Sequence, residues 1–485
     1  MQGKFLSTLL LSLVLNLLIK PISLFGIDAA VQNRVGATEY GLYFSLLNLS
    51  VLFNILIDLG INNYTIRTMA QDPYAATKHV GRIMVLRGIL FLVYSIFTLC
   101  IAVFIGYHGY ELHLMVVLIF NQLLIMFTAY ARSYFSGLHY FKTDAILSVL
   151  DRFLLIFICG FVLYSSFFTA EFQIEWYIWI QTICYAITLL VALFLLSRII
   201  HLNHFTFDRK FSGTVIKQSL PYAALILLML LYTRSDSVIL ERLHETGRFE
   251  AGVYAQGFRL LDALYMFGMV FAGLLFPMFS RLLKQSNKEI IPLLQTSGNL
   301  LIGGCSVLII ALYFNAELVL GWIYENNVYY SAQSFRWLML GFFGISLNFI
   351  FGTLLSANGN FKELNYLAAA AVFFNIGMNL FMAPLYGSTG IGVTFFITQL
   401  AVAIAQLFIA KEKIGFHFIP KFIGVHLLLI ATLVLIGLLI SSSEMLFITQ
   451  LILGGILLLA LRIIDIKELK LMFLPSKATK NNISA

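Results

Sequence analysis

Residues 33–43 read Asn-Arg-Val-Gly-Ala-Thr-Glu-Tyr-Gly-Leu-Tyr. The pattern inside them, Gly36-x-x-Glu39-x-Gly41-x-Tyr43, returns 211 positions later as Gly247-x-x-Glu250-x-Gly252-x-Tyr254. A second echo follows at an offset of 220: Ser136-Gly137-x-x-x-Phe141-Lys142 becomes Ser356-Ala357-x-x-x-Phe361-Lys362. Two echoes in the same order at nearly the same offset describe one element built twice, a repeat of about 210–220 residues.

The rest of the chain says what is repeated. Sixty per cent of its 485 residues are apolar and 11% are charged, against roughly 45–50% and 25% in soluble domains. A chain this poor in charge has little to show to water, and lipid is the solvent that suits it. A membrane crossing needs about 20 apolar residues. The sequence holds fourteen such runs, from 5–27 and 41–66 through 364–384 and 390–410 to 421–440 and 445–463. The first run lacks a small-x-small cleavage site after its apolar stretch and leads straight into the first echo, so it reads as a retained helix.

Charge between the runs orients them. With both ends placed inside, inner segments carry 21 of the 31 lysines and arginines, and outer segments carry three, Arg34, Arg242 and Arg248. That bias predicts cytoplasmic N- and C-termini. It also accounts for the net charge of +8 through anionic leaflet lipids, without nucleic acid. Trp176, Trp179, Trp322 and Trp337, with Tyr324, Tyr329 and Tyr330, fall at the predicted outer interface as an aromatic belt.

The echoes group the runs. Six crossings return the chain to its starting side, so the copies are parallel. The expected architecture is all-α, with a six-helix lobe over 1–205, a second over 206–414, and two further helices with a short cytoplasmic tail over 415–485. In the motif, Gly41 and Gly252 allow a turn or a close helix approach, and Glu39 and Glu250 suit the N-terminus of the following helix.

Nothing in the chain reads as an enzyme. Loops are short, and no Ser/His/Asp set, phosphate-cradling glycine loop, ATP site or zinc spacing is present. His201-x-x-His204 reads as a solvated pair, and Cys100, Cys159, Cys184 and Cys305 sit in apolar runs as packing residues. No cofactor is expected. The informative residues are ionisable groups at span depth, each of which asks for a partner, water or a ligand. They comprise seven cations, Lys20, Arg87, Arg132, Arg152, Arg234, Arg259 and Arg336, against four acids, Asp58, Asp151, Asp236 and Asp262. The surplus suits an anionic, phosphate-bearing substrate. Arg87, Arg132 and Arg152 lie close enough to the inner edge to snorkel, with Asp58 and Asp151 as their partners. Lys20 lies deep and precedes Pro21, which frees a backbone carbonyl. Arg259 and Asp262 are one turn apart and suited to pair, whereas Arg234 and Asp236 cannot face each other. Lys20, Arg234, Arg259 and Arg336 are therefore the candidate cavity cations.

The stretch Asn33 to Tyr43, followed by Asp58-Leu59-Gly60, resembles the opening of polysaccharide repeat-unit (O-antigen type) flippases of the multidrug/oligosaccharidyl-lipid/polysaccharide exporter superfamily. Asp236-Ser-Val-Ile-Leu240 through Gly252-Val-Tyr254 and Leu275-Phe276-Pro277 resembles their second half. So does Asn375 through Pro384-Leu-Tyr386-Gly387-x-x-Gly390-Ile-Gly392, so that the likeness covers about residues 5–410. The resemblance implies alternating-access transport of an undecaprenyl-diphosphate-linked oligosaccharide, with the sugar head in a cationic cavity and the lipid tail in the bilayer. It implies membrane lipids as surroundings, and polymerase and glycosyltransferases as functional partners. Lipid II flippases of the superfamily carry an Arg-Asp pair late in their first helix; Ile27-Asp28 retains only the acid, which argues against a peptidoglycan role. Drug exporters of the superfamily use buried acids for cation coupling. Asp28, Asp58, Asp236 and Asp262 are the acids available here for pairing or for coupling to H+ or Na+. An ion-coupled exporter of small molecules is the alternative reading.

Overall fold

The computed structural model describes residues 14–62, 65–66, 69, 80–165, 171–200, 206–285, 290–416, 420–440 and 444–464. His201, His204 and the basic tail beyond 464 lie outside the described residues. Within them the protein is an all-α membrane protein without strands. Ten helical stretches are long and apolar enough to cross a membrane, and two shorter apolar helices follow. Two of the ten hold two spans each. The stretch Val14–Asp58 breaks at Gly36 (φ 80°, ψ 168°), and Phe361–Ile414 breaks at Gly387 (φ 54°, ψ −137°). Both glycines take backbone conformations that a side chain would strain. Counting each side of a break as a span gives fourteen.

These are α1 (14–35), α2 (37–58), α3 (Val80–Ile105), α4 (Tyr110–Gly137), α5 (Phe141–Tyr164), α6 (Ile174–Ser197) and α7 (Arg209–Leu243). They continue as α8 (Gly247–Gln285), α9 (Ile290–Phe314), α10 (Val328–Ala357), α11 (361–386), α12 (388–414), α13 (Pro420–Leu439) and α14 (Glu444–Ala460). Each follows from a local property: an apolar run long enough to span lipid and to satisfy its own backbone.

The helices form two compact units. The first comprises Met1–Ala263, Ile323–Ser334 and Ala368–Thr394, and the second Leu264–Trp322, Phe335–Leu367 and Phe395–Ala485. In the first unit the two copies of the opening motif pack on each other. A Cβ at Gly41 would run into the Arg248 carbonyl and lie 2.6 Å from the Gly252 nitrogen; one at Gly252 would run into the Ala37 carbonyl. Small residues let two backbones approach this closely. Polar side chains then pin the approach: Gln32 Nε2 donates to the Gly252 carbonyl (2.7 Å), Ser45 Oγ to the Ser237 carbonyl (2.9 Å) and Asn48 Nδ2 to Ser237 Oγ (3.0 Å).

The motif glutamates part company. Glu39 is exposed. Glu250 is buried and accepts from the Ser388 amide (2.7 Å) and the Tyr330 hydroxyl (2.5 Å). It therefore caps the start of α12 after the Gly387 break, rather than its own helix. In the second unit α13 and α14 pack against α9 through Val307, Ile310, Leu429, Leu433 and Leu458, and a buried Asn315–Gln450 hydrogen bond (3.0 Å) fixes their register. Trp179, Trp322 and Tyr329 are exposed, as an aromatic belt requires, but Tyr324 is buried and belongs to the core.

Candidate functional site

The site begins in α1. Pro21 supplies no amide and its ring crowds the preceding turn, and the helix responds by widening into a π-helix over Ile22–Asp28. The widened turns carry Asp28 into the protein, where it is buried. It accepts from the hydroxyls of Tyr40 (2.6 Å) and Tyr177 (2.8 Å) and pairs with Arg259 Nε (2.8 Å). Arg259 also donates to the Tyr40 hydroxyl (2.9 Å) and lies over the Phe44 ring at 5.2 Å. Asp28 thus takes its arginine partner from α8, 231 residues away. Next to this pair, burial lifts the Tyr324 phenol above its ordinary value, with Asp28 adding to the shift.

A second pair continues the line. Arg234 on α7 grips Asp262 on α8 through two nitrogens (2.9 and 3.4 Å) and donates to Asn48 Oδ1 on α2 at 3.3 Å. Asp262 stands 3.9 Å from Arg259, at the limit of an ion pair. The one-turn spacing of Arg259 and Asp262 thus brings them near each other, while each finds its shorter partner on another helix. Asp28, Arg259, Asp262 and Arg234 form a charge-balanced chain linking α1, α8 and α7.

The other depth charges sit elsewhere. Arg87 is completely buried and pairs with Asp58, donates to Asn62 Oδ1 (2.7 Å) and the Met126 carbonyl (3.0 Å), and covers the Tyr130 ring. This arrangement holds the end of α2, where the chain turns through Leu59 and Gly60 at positive φ. Arg132 pairs with Asp144 (2.7 Å). Arg336, in the second unit, pairs with Glu317 (3.0 Å). Six of the seven depth cations therefore meet a carboxylate. The expected surplus shrinks because Asp28, Asp144 and Glu317, absent from the tally of depth acids, supply partners at helix ends and at the widened turn.

Lys20 is the exception. It is half-buried and makes no ion pair or hydrogen bond with any described residue. One turn before it, Asn16 Nδ2 donates to Ser148 Oγ (3.0 Å) and locks α1 to α5. The next turn of both helices then sets Lys20 in the field of Arg152, Asp151 and Arg132. Among the described residues Arg152 has only its sequence neighbour Asp151 as a carboxylate partner, at 3.5 Å. Lys20, Arg132 and Arg152 against Asp144 and Asp151 leave one net positive charge. Arg152 reads in the sequence as a snorkelling residue, and its role beside Lys20 depends on the α1–α5 register.

Asp236 on α7 is the opposite case: a buried carboxylate without a cation at ion-pair distance among the described residues. Its neighbours are neutral. Asn379 Nδ2 donates to it at 2.7 Å and the Tyr254 hydroxyl at 3.3 Å, with Asn375 alongside. Asn379 Oδ1 and Asn375 Nδ2 are left without hydrogen-bond partners there. The asparagines on α11 are neutral, so a sequence pattern of ionisable residues at span depth does not point to them.

The chain matches the model of a family described as polysaccharide biosynthesis protein over residues 7–283, more than half its length. Solved structures with the same fold include the lipid II flippase MurJ in an inward closed conformation, with TM-score 0.71, 13% identity, and 93% of this chain and 98% of that one covered. A multidrug resistance MATE family transporter in an inward-facing conformation aligns with TM-score 0.65 and 14% identity over 81% and 94% of the two chains. A MOP superfamily transporter from Pyrococcus furiosus, described as having a binding pocket of reversed polarity, aligns with TM-score 0.55 and 14% identity over 84% and 94%. No curated protein matches the chain. With the repeat, the fourteen helices and this match in agreement, the chain belongs to the polysaccharide biosynthesis protein family.

Proposed function

We propose that this protein is a flippase that moves an undecaprenyl-diphosphate-linked oligosaccharide across the bacterial cytoplasmic membrane during surface polysaccharide synthesis. The observation that carries this reading is Lys20, a half-buried cation at span depth that meets no carboxylate at ion-pair distance among the described residues and lies in the field of Arg152. A cation held in such surroundings gains most from a ligand that brings negative charge. A diphosphate presents several oxygens to an ammonium and a guanidinium at once. Family membership supports the polysaccharide side of the assignment. Transport follows alternating access: the halves 1–205 and 206–414 separate in turn on the two sides, the sugar head stays near α1 and α5, and the lipid tail remains in the bilayer.

Asp236 supports a coupling role. A carboxylate held only by neutral amides and a phenol is stabilised by a bound proton or Na+ more than by its protein partners, and the open Asn379 Oδ1 offers a further ligand oxygen. Coupling at this residue accounts for movement without an ATP site.

The test is replacement of Lys20 and Arg152 singly by Ala and by the other cation. Lys20→Ala and Arg152→Ala are expected to reduce surface polysaccharide at least about tenfold, equivalent to 1.4 kcal/mol of lost interaction, and to accumulate the lipid-linked intermediate. Lys20→Arg should restore most of the product. Full polysaccharide in both alanine variants refutes the phosphate site. Unaffected polysaccharide on deletion of the whole gene, together with new drug sensitivity, would favour the small-molecule exporter instead.

A further inference from the structure

Two of the three basic residues on the predicted outer segments, Arg242 and Arg248, lie in one cluster within the first unit. A face that otherwise carries only Arg34 among basic residues places both on the α7–α8 turn, opposite the α3–α4 turn. Glu111 and Glu241 are both buried. Arg242 donates to Glu111 Oε2 (3.0 Å) and meets Glu241 Oε2 (2.8 Å); Arg248 bonds Glu111 Oε1 and stands 3.6 Å from Glu241 Oε1. Each arginine therefore faces both carboxylates, and the four charges cancel. The surroundings complete the set. The Tyr107 hydroxyl donates to Glu241 (2.9 Å) and its ring lies 3.5 Å from the Arg242 guanidinium carbon. The His108 amide donates to Glu111 (3.2 Å), with His108 Nδ1 4.0 Å away. Gly247 closes the α7–α8 turn so tightly that a Cβ there would run into the Glu241 carbonyl.

We propose that these four residues form an ionic latch that holds the outer ends of the two sequence halves together and must break for the protein to open outward. Glu111 comes from the first half of the sequence and the other three from the second. The latch adjoins the glycine contact, since Arg248 also supplies the carbonyl that meets Gly41. The α2–α8 approach therefore cannot widen at that end without separating Arg248 from Glu111. The cluster is also partly wet: the Arg248 side chain is 41% exposed and that of Arg242 21%, against 8% and 2% for the two glutamates. When the contact opens, the arginines are rehydrated at once, so the hold is reversible. A pair with this exposure is weakened by salt, because the screening length falls from about 10 Å at 0.1 M to about 3 Å at 1 M ionic strength. The proposal rests on the alternating-access reading for its meaning in transport, but its structural content can be measured without substrate.

The experiment uses the full chain in lipid nanodiscs, with the native cysteines replaced by Ser and spin labels at Tyr110→Cys and Glu245→Cys. Double electron–electron resonance then reports the separation of the two turns. The unmodified latch is expected to show mainly a short-distance population. Arg248→Gln and Glu111→Gln should each raise a longer-distance population about tenfold, and Arg248→Lys should raise it less. Moving from 0.1 to 1 M salt should raise the long-distance fraction in the unmodified latch and have little effect in the Gln variants. An unchanged distance distribution in Arg248→Gln overturns the latch, as does a salt response of equal size with and without the charges. If Glu111→Gln fails to fold, the more exposed Arg248→Gln and the salt titration still decide. Because no substrate is present, a shift in distance with no defect in polysaccharide would upset the transport assignment and leave the latch standing. A polysaccharide defect in Lys20→Ala with no distance shift here would do the reverse.

Discussion

Arg259→Ala is the substitution whose effect the structure specifies most fully. It removes the cation from Asp28 and leaves a buried carboxylate behind. Breaking a buried ion pair from one side typically costs about 3–5 kcal/mol, because the remaining charge is uncompensated. Asp28 keeps the Tyr40 and Tyr177 hydroxyls at 2.6 and 2.8 Å, and charge-assisted bonds of that kind are worth about 1.5–3 kcal/mol each. The expected loss therefore sits at the lower end, about 3 kcal/mol. Asp28→Asn leaves a different remainder. Arg259 retains the Tyr40 hydroxyl at 2.9 Å, the Phe44 face at 5.2 Å and Asp262 at 3.9 Å, so the loss is smaller, about 1.5–2 kcal/mol, the low end for one such hydrogen bond. The double variant Arg259→Ala with Asp28→Asn carries no orphaned charge from this pair and should be more stable than Arg259→Ala alone. Thermal unfolding of the detergent-purified protein, followed by loss of the monodisperse peak on size exclusion, measures the order. At roughly 2–4 °C per kcal/mol for domains of a few hundred residues, Arg259→Ala should lose about 6–12 °C, and Asp28→Asn should restore part of it in the double variant. Additive losses in the double variant would refute the pairing, as would an Arg259→Ala protein that melts with the parent.

Gly252→Ala places a methyl against the Ala37 carbonyl, so it should sharply lower the amount of folded protein in the membrane, whereas Gly88→Ala, which has open space around it, should not; equal expression of the two would contradict the close contact. Asp236→Asn removes the carboxylate while keeping its shape, so the protein should remain folded and lose the response of polysaccharide export to an imposed proton or Na+ gradient. An Asn variant with the parent's full gradient response would remove Asp236 from coupling.

Much of the fold was legible in the residues because membrane helices are specified locally. Each apolar run satisfies its own backbone in lipid, so the apolar runs of the sequence correspond to α1–α14, and even the tight breaks fall at glycines of its motifs, Gly36 and Gly387. The motif glycines were readable as sites of turning or close approach, but not as partners of each other. Glu250 suits the start of its own helix by sequence but caps α12 in the structure, because only packing shows which helix start lies in reach.

What the sequence determined by itself is therefore the set of spans, the duplication and the charges placed at depth, all properties of composition along the chain. What only the tertiary structure decided is how those charges combine. Arg259 and Asp262, a turn apart, each bond more closely to a partner on another helix. Among the described residues Lys20 meets no carboxylate at ion-pair distance, and Asp236 lies among amides. Pairing depends on the rotation of each helix about its axis and on the π-helical turns after Pro21 that turn Asp28 inward. These are relations among helices distant in sequence, and a few ångströms there decide whether a charge is neutralised by a carboxylate.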